Sequence, residues 1–392
     1  MSVDDAVNDG RTALEVAAKD VNLLLCDVII RIIKEVKLEE YNRLTLNLVP
    51  DNLHEVFFKI AATKGYLQVF EFLIKNLRTN KNPTFILGGS PLHLAAENGY
   101  LEACQLIIRN VEEKNPFSNM KWVTPYHLAA QNGQLEVCKL FIDNLVDKNP
   151  RHGGPIAILE TPLLRAVSRG HLEVCKLIIQ NLEDKNPTTI EGTPLHLAAQ
   201  EGNLEVCKLI MGKIKNQNPS TFLGVTPFHL AASNGHFDIC KHFMEKLWNK
   251  NPGCWYRNET PLHKAAENGH LEVCKLIIKH IWIKNPDSEY VKTPLHLAAS
   301  NGHMNVCRLI MKNVWNKNPK SHGVTPRELA FENNHMEVYE MFNTELGSFA
   351  SIYSSICNVY LNMPEYLRDM VFITIFTVIF FPIVIYILFM RK

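Results

Sequence analysis

The sequence predicts an all-α solenoid of about ten helix-turn-helix units with β-turn fingers, followed by one transmembrane helix. Three observations carry that expectation. The dipeptide Asn-Pro recurs at near-constant intervals, a seven-residue motif of the form TPLHLAA recurs between those marks, and residues 371–390 contain no charge. The array is expected over 54–347, preceded by a divergent repeat or cap over 1–53 and followed by a juxtamembrane connector over 348–370.

The period comes first, because it defines the units. The prolines of Asn-Pro are Pro83, Pro116, Pro150, Pro187, Pro219, Pro252, Pro286 and Pro319, with gaps of 33, 34, 37, 32, 33, 34 and 33 residues. The second motif begins at Ser90, Thr124, Thr193, Thr226, Thr260 and Thr293, and degenerate copies begin at Thr12, Val56, Thr161 and Thr325. Each Thr-Pro predicts a helix start, with Thr as side-chain cap and Pro at the first helical position, where a missing N–H costs nothing. That helix ends two turns later at a glycine suited to the left-handed conformation, as at Gly99, Gly133, Gly170, Gly202, Gly235, Gly269 and Gly302, with Asn334 substituting in the last unit. A second helix follows. In one unit Leu204, Val206, Cys207, Leu209 and Ile210 fall on one broad apolar face. Lys-Asn-Pro then stops it, since the residue before a proline avoids the helical region, and an extended segment leads to the next Thr-Pro.

A helix-turn-helix-loop of about 33 residues opening with TPLHLAA resembles the ankyrin repeat, and the resemblance covers roughly residues 12–342. It implies antiparallel helix pairs stacked into a curved solenoid, with β-turn fingers beside a concave groove. The first two units are 44 residues apart rather than 33 or 34, so an inserted loop or distorted cap is expected around 38–52.

The recurring His93, His127, His196, His229, His263 and His296 are of a residue type that binds metals and moves protons. They occupy one register three residues after the helix cap, and the resemblance implies a structural role: a hydrogen bond to the neighbouring Thr and another to the adjoining loop. Leu164 replaces this His in the unit at Thr161, which is expected to be held less tightly. Eight of the ten cysteines (Cys26, Cys104, Cys138, Cys175, Cys207, Cys240, Cys274 and Cys307) share one position on the second helix and are expected in the core. Equivalent helices about 8–10 Å apart do not bring Cα atoms within disulfide reach. Buried thiols in this number fit a reducing compartment, and Cys254 and Cys357 alone are expected to be open to modification.

Composition excludes several function classes. Forty-one Lys and Arg against forty Asp and Glu leave a formal charge of +1, without the basic field that nucleic-acid binding requires. No phosphate loop, HExxH, GxSxG, kinase signature or paired CxxC occurs, so no catalytic residue, metal site, cofactor or small-molecule substrate is expected. A repeat array varies what it presents on a constant backbone, and its fingers carry Phe85, Phe117, Trp122, Ile158, Phe222, Trp255, Tyr256 and Tyr290. Exposed aromatics suit a protein interface.

The segment 371–390 would span about 30 Å as a helix, the thickness of a bilayer core, with Pro382 as a tolerated kink. The N-terminus lacks a positive export signal, so the repeats are expected to face the cytosol, although Arg391 and Lys392 outnumber Arg368. The whole then reads as a membrane-tethered, non-catalytic scaffold for a protein partner. The alternative is the N-terminal part of a polytopic TRP-type channel, in which such repeats precede the first span. One further pattern exceeds what the repeat requires: Trp248, Trp282 and Trp315 occupy one register, eight residues after Cys240, Cys274 and Cys307, where earlier units place Glu112, Val146, Glu183 and Lys215. Such a stripe suits either a membrane interface or packing beneath neighbouring fingers.

Overall fold

The computed structural model describes residues 89–347 except 119–122, 152–160, 190–191, 255–257 and 288–291, together with positions 70, 74, 82 and 84. The expected first repeat, the connector over 348–370 and the apolar segment over 371–390 lie outside the described residues. Among the described residues no helix is long and apolar enough to cross a membrane.

The described chain is all helix pairs and loops. The pairs are α1 (Pro91–Asn98) and α2 (Leu101–Ile108), α3 (Pro125–Gln131) and α4 (Leu135–Asn144), α5 (Pro162–Ser168) and α6 (Leu172–Gln180), and α7 (Pro194–Gln200) and α8 (Leu204–Met211). They continue as α9 (Pro227–Ser233) and α10 (Phe237–Lys246), α11 (Pro261–Glu267) and α12 (Leu271–His280), α13 (Pro294–Ser300) and α14 (Met304–Lys312), and α15 (Pro326–Glu332) with α16 over 336–347. The chain divides into two compact units at 261/262. In the first unit, first helices stack on first helices (α1 on α3, α3 on α5, α5 on α7, α7 on α9) and second helices on second helices from α2 through α10. In the second unit α13 packs on α15 and α12 on α14.

The Ala-Ala pair explains the close stacking. Ala95, Ala96, Ala129, Ala130, Ala198 and Ala199 are fully buried, and no larger side chain fits where one first helix lies on the next. The second helices bury two adjacent positions and two more a turn later, as with Val206, Cys207, Ile210 and Met211. Leu204 and Leu209, expected on that same face, are only half-buried because they lie on its flanks.

The turn glycines hold the left-handed conformation as expected, at φ between 70° and 81° for Gly99, Gly133, Gly170, Gly202, Gly235, Gly269 and Gly302, with Asn334 at 61°. Space is a second reason for glycine here. A Cβ on Gly202 would lie 2.7 Å from the imidazole of His236, which reaches back from the following repeat. His236 Nε2 pairs with the Gln200 carbonyl at 2.8 Å, and His171, Asn203 and His303 make the same backward contact to Gln131, Val167 and Glu267. In these four repeats the residue after the glycine therefore ties its repeat to the one before.

Contrary to expectation, the second helices do not stop at Lys-Asn-Pro: they end five to seven residues before the Asn, as α6 ends at Gln180 ahead of Asn186, and the Asn acts instead on the helix that follows. Asn186 Oδ1 accepts the backbone N–H of Leu195 at 3.0 Å, across nine residues, and so caps the start of α7. Asn82, Asn115, Asn149, Asn218, Asn285 and Asn318 do the same for Leu92, Tyr126, Leu163, Phe228, Leu295 and Arg327 at 2.9–3.2 Å. The preceding lysine turns the other way: Lys185 Nζ donates to the Ile179 carbonyl at the end of α6 at 3.0 Å, where a cation also suits the helix dipole. Three residues thus close one helix and open the next. Asn186 is buried, so Asn186→Ala should strand the Leu195 N–H and cost about 1–2 kcal/mol. Asn186→Asp, which keeps the acceptor, should retain most of it; equal thermal shifts for the two variants would show that the cap contributes nothing.

Candidate protein-interaction surface

The histidine register is built inward. Thr193 Oγ1 lies 3.0 Å from His196 Nδ1, and the Thr193 backbone N–H donates to that same nitrogen at 3.1 Å. Nδ1 is therefore the acceptor, so Nε2 carries the proton and donates to the Val225 carbonyl in the next loop at 3.1 Å. His93, His229 and His296 reach Val123, Glu259 and Val324 in the same manner. A ring fixed in its neutral tautomer and committed at both nitrogens is a splice between helix and loop. Burial holds His93 down at about 4, against the partial opposing effect of the Val123 carbonyl, and lowers His196 and His296 in the same sense. In the last repeat Glu328 takes the local half of this role, accepting the Thr325 N–H and hydroxyl at 2.8 and 2.9 Å. Those two bonds hold its carboxyl below the ordinary carboxylate range. The unit at Thr161 has neither: Leu164 leaves only the Thr161 cap on its own N–H.

The cysteine register is core. Cys104, Cys138, Cys175, Cys207, Cys240, Cys274 and Cys307 are fully buried. Desolvation pushes Cys175, Cys207, Cys274 and Cys307 up to about 12, so they are thiols at neutral pH and poor nucleophiles. Cys254 departs from expectation. Its loop folds back through a 2.8 Å bond from the Cys254 N–H to the Glu259 carbonyl, and the residue is buried rather than open to modification. Among the described residues no group of three or more His, Cys, Asp and Glu side chains is arranged to hold a metal ion.

What remains for a partner is the rim. The asparagines at the ends of the first helices are exposed, but Asn98, Asn132, Asn234 and Asn268 each spend their amide on the carbonyl four residues earlier at 2.9–3.0 Å. The most exposed large apolar groups lie in the loops, although Phe331 on α15 and Met336 on α16 also meet water. Thr221 N–H bonds the Val225 carbonyl at 2.8 Å and Gly224 N–H the Thr221 carbonyl at 2.9 Å, closing a tight finger whose tip holds Phe222 at 94% exposure beside the exposed Leu223. The isolated bridges Thr189–Gly192 and Ser321–Val324 are the same device elsewhere. Phe117 is 48% exposed. Phe85, Trp122, Ile158, Trp255, Tyr256 and Tyr290 lie outside the described residues. The tryptophan register is not packed beneath the fingers: Trp248, Trp282 and Trp315 are 97%, 93% and 90% exposed, as is Val146 at the same position in an earlier unit. Sequence pattern gave no reason to single out Leu223 or Ile283, which join the exposed set; their loop positions were the available signal.

Helix pairs spliced by Thr-Pro caps, inward histidines and exposed loop tips define a repeat protein of the protein-binding class. The family profile described as "Ankyrin repeats (3 copies)" matches residues 58–152, 156–221, 195–289 and 278–347, and the chain belongs to the ankyrin repeat family. No curated protein matches the chain.

Proposed function

We propose that this chain is a non-catalytic scaffold that binds a protein partner through its projecting loops and is held at a membrane by 371–390, with the repeats in the cytosol. The observation that carries the reading is the contrast between constant helices and loop tips that expose Phe222, Leu223 and Phe117, since exposed aromatic and aliphatic groups on a rigid frame supply interface anchors at low ordering cost. Buried, unreactive thiols and neutral, fully committed histidines support a structural rather than a chemical use of both registers. The twenty uncharged residues of 371–390 support the tether.

The test separates the two parts. Deleting 371–392 should move the protein from carbonate-washed membranes to the soluble fraction with a cooperative unfolding transition retained, because the repeats bury their own core. Retention of the truncated chain on those membranes would end the tether. Phe222→Asp with Phe117→Ser should remove a defined set of proteins from in-cell proximity labelling by the full chain, and an unaltered set would place partner recognition elsewhere.

A further inference from the structure

Trp282 and Trp315 follow α12 and α14, which pack side by side in the second unit, so both indoles leave the same end of neighbouring helices. Their loops are well anchored. Three residues beyond each Trp, Asn285 and Asn318 cap the following helix at 2.9 and 3.2 Å. The rings therefore face water because the backbone is held that way, with Ile283 exposed beside Trp282.

The charge around them is unusual for this chain. Six second helices carry an acid at their second position (Glu102, Glu136, Glu173, Glu205, Asp238 and Glu272), and Glu173, Glu205 and Glu272 each pair with the lysine three residues on at 2.6–2.7 Å. In α14 that pair is replaced by Asn305 and Arg308. From 290 to 327 there is no Asp or Glu, while Lys292, Arg308, Lys312, Lys317, Lys320 and Arg327 fall in the same span. Arg308, Lys312 and Lys320 are exposed. A chain with a net charge of +1 thus concentrates cations around Trp315, while Trp282 lies just before that span, with Lys284, Asp287 and Glu289 following it.

Indole rings with an excess of exposed lysine and arginine match the headgroup layer of an anionic bilayer, where the ring sits at the apolar boundary, its N–H finds water, and the cations meet phosphate and carboxylate. A connector of 23 residues, 348–370, separates the array from the apolar segment. As a random coil, a chain of that length would have an r.m.s. span of roughly 30 Å. We infer that the face carrying Trp282, Trp315, Arg308 and Lys312 docks on the anionic surface of the membrane in which 371–390 is inserted, and so fixes how the repeats are presented. This rests on the reading of 371–390 as a span.

The experiment uses the full chain reconstituted into phosphatidylcholine vesicles with or without phosphatidylserine, each containing lipid brominated close to the headgroup. Tryptophan quenching should be strong only with phosphatidylserine and should fall in Trp282→Phe/Trp315→Phe. Arg308→Gln/Lys312→Gln should shift the docked-to-free ratio by roughly thirtyfold, since each cation near an anionic surface contributes about fivefold, and added salt should mimic it. Quenching that is insensitive to the Phe substitutions, or equal in both vesicle types, overturns the docking, as does crosslinking that shows the indoles covered by a second copy of the chain. Carbonate washing of the same vesicles reads the span independently: protein retained but unquenched means a tether without docking, and protein washed away means the span itself fails. All four positions are exposed, so loss of helicity in a variant would itself contradict the placement.

Discussion

Ile210→Asp is expected to unfold the repeat that contains it and to lower the urea midpoint of the chain by more than any surface substitution. Ile210 is fully inaccessible on α8, beside Cys207 and Met211 and between the neighbouring second helices α6 and α10. A carboxylate placed there has no cation within the apolar layer and must either remain charged at high desolvation cost or take up a proton; the loss is at least about 4 kcal/mol. In a stacked array the consequence spreads, because each repeat draws much of its stability from the interfaces to its neighbours. Leu209→Asp should cost distinctly less, since Leu209 is half-buried and its replacement reaches water. Asn234→Ala, at an exposed residue with only a bond to its own helix, should stay within about 0.5 kcal/mol. A midpoint shift for Leu209→Asp equal to that of Ile210→Asp would show that the face of α8 is misassigned.

That pair of leucine and isoleucine also shows how far the sequence can be read. Thr-Pro, Ala-Ala and the turn glycines are local signals, each decided by the residue's own backbone preference, and the helix pairs follow from them directly. Helical periodicity places both Leu209 and Ile210 on a broad apolar stripe; which of them is central depends on where the neighbouring helix lies. The cap from Asn186 to Leu195 was hidden for a similar reason. Asn before Pro suggested a local helix stop, although α6 ends at Gln180, six residues earlier, and the partner the Asn does hold is reached only once the loop has folded back. His171 and His236 look like ordinary turn residues until the preceding repeat supplies a carbonyl and a glycine without a side chain. Cys254 misled in the opposite sense, because a loop position suggests exposure while the loop's own hydrogen bond buries it. Exposure of Trp282 and Trp315 was one of two alternatives in the sequence, and anchoring of their loops by Asn285 and Asn318 decided it.

Acidification from pH 7 to pH 5 should lower the urea midpoint steadily, through the histidine register. The folded chain binds the neutral ring of His93, with Nε2 directed at the Val123 carbonyl 3.1 Å away, and burial lowers its pKa from 6.5 to about 4. Between those two values the unfolded chain is protonated at His93 and the folded chain is not. Unfolding therefore takes up a proton, and stability falls as pH falls. The contribution is intact above 6.5 and is lost progressively as pH descends toward 4, amounting to about 3 kcal/mol for this residue once both values are passed. His196 and His296 are lowered in the same direction by the same cause and steepen the slope. Glu328 does not account for that window: held low by Thr325, it loses its contribution only as pH falls through and below the ordinary carboxylate range. The chain supplies its own control in Leu164, which occupies the histidine position without a titrating group. His93→Leu should accordingly cost stability at pH 7, where the Val123 carbonyl loses its donor, and yet flatten the dependence between pH 7 and 5. A variant whose slope matches the parent's would mean that His93 is already protonated in the folded chain, and that the neutral-tautomer splice between helix and loop is wrong.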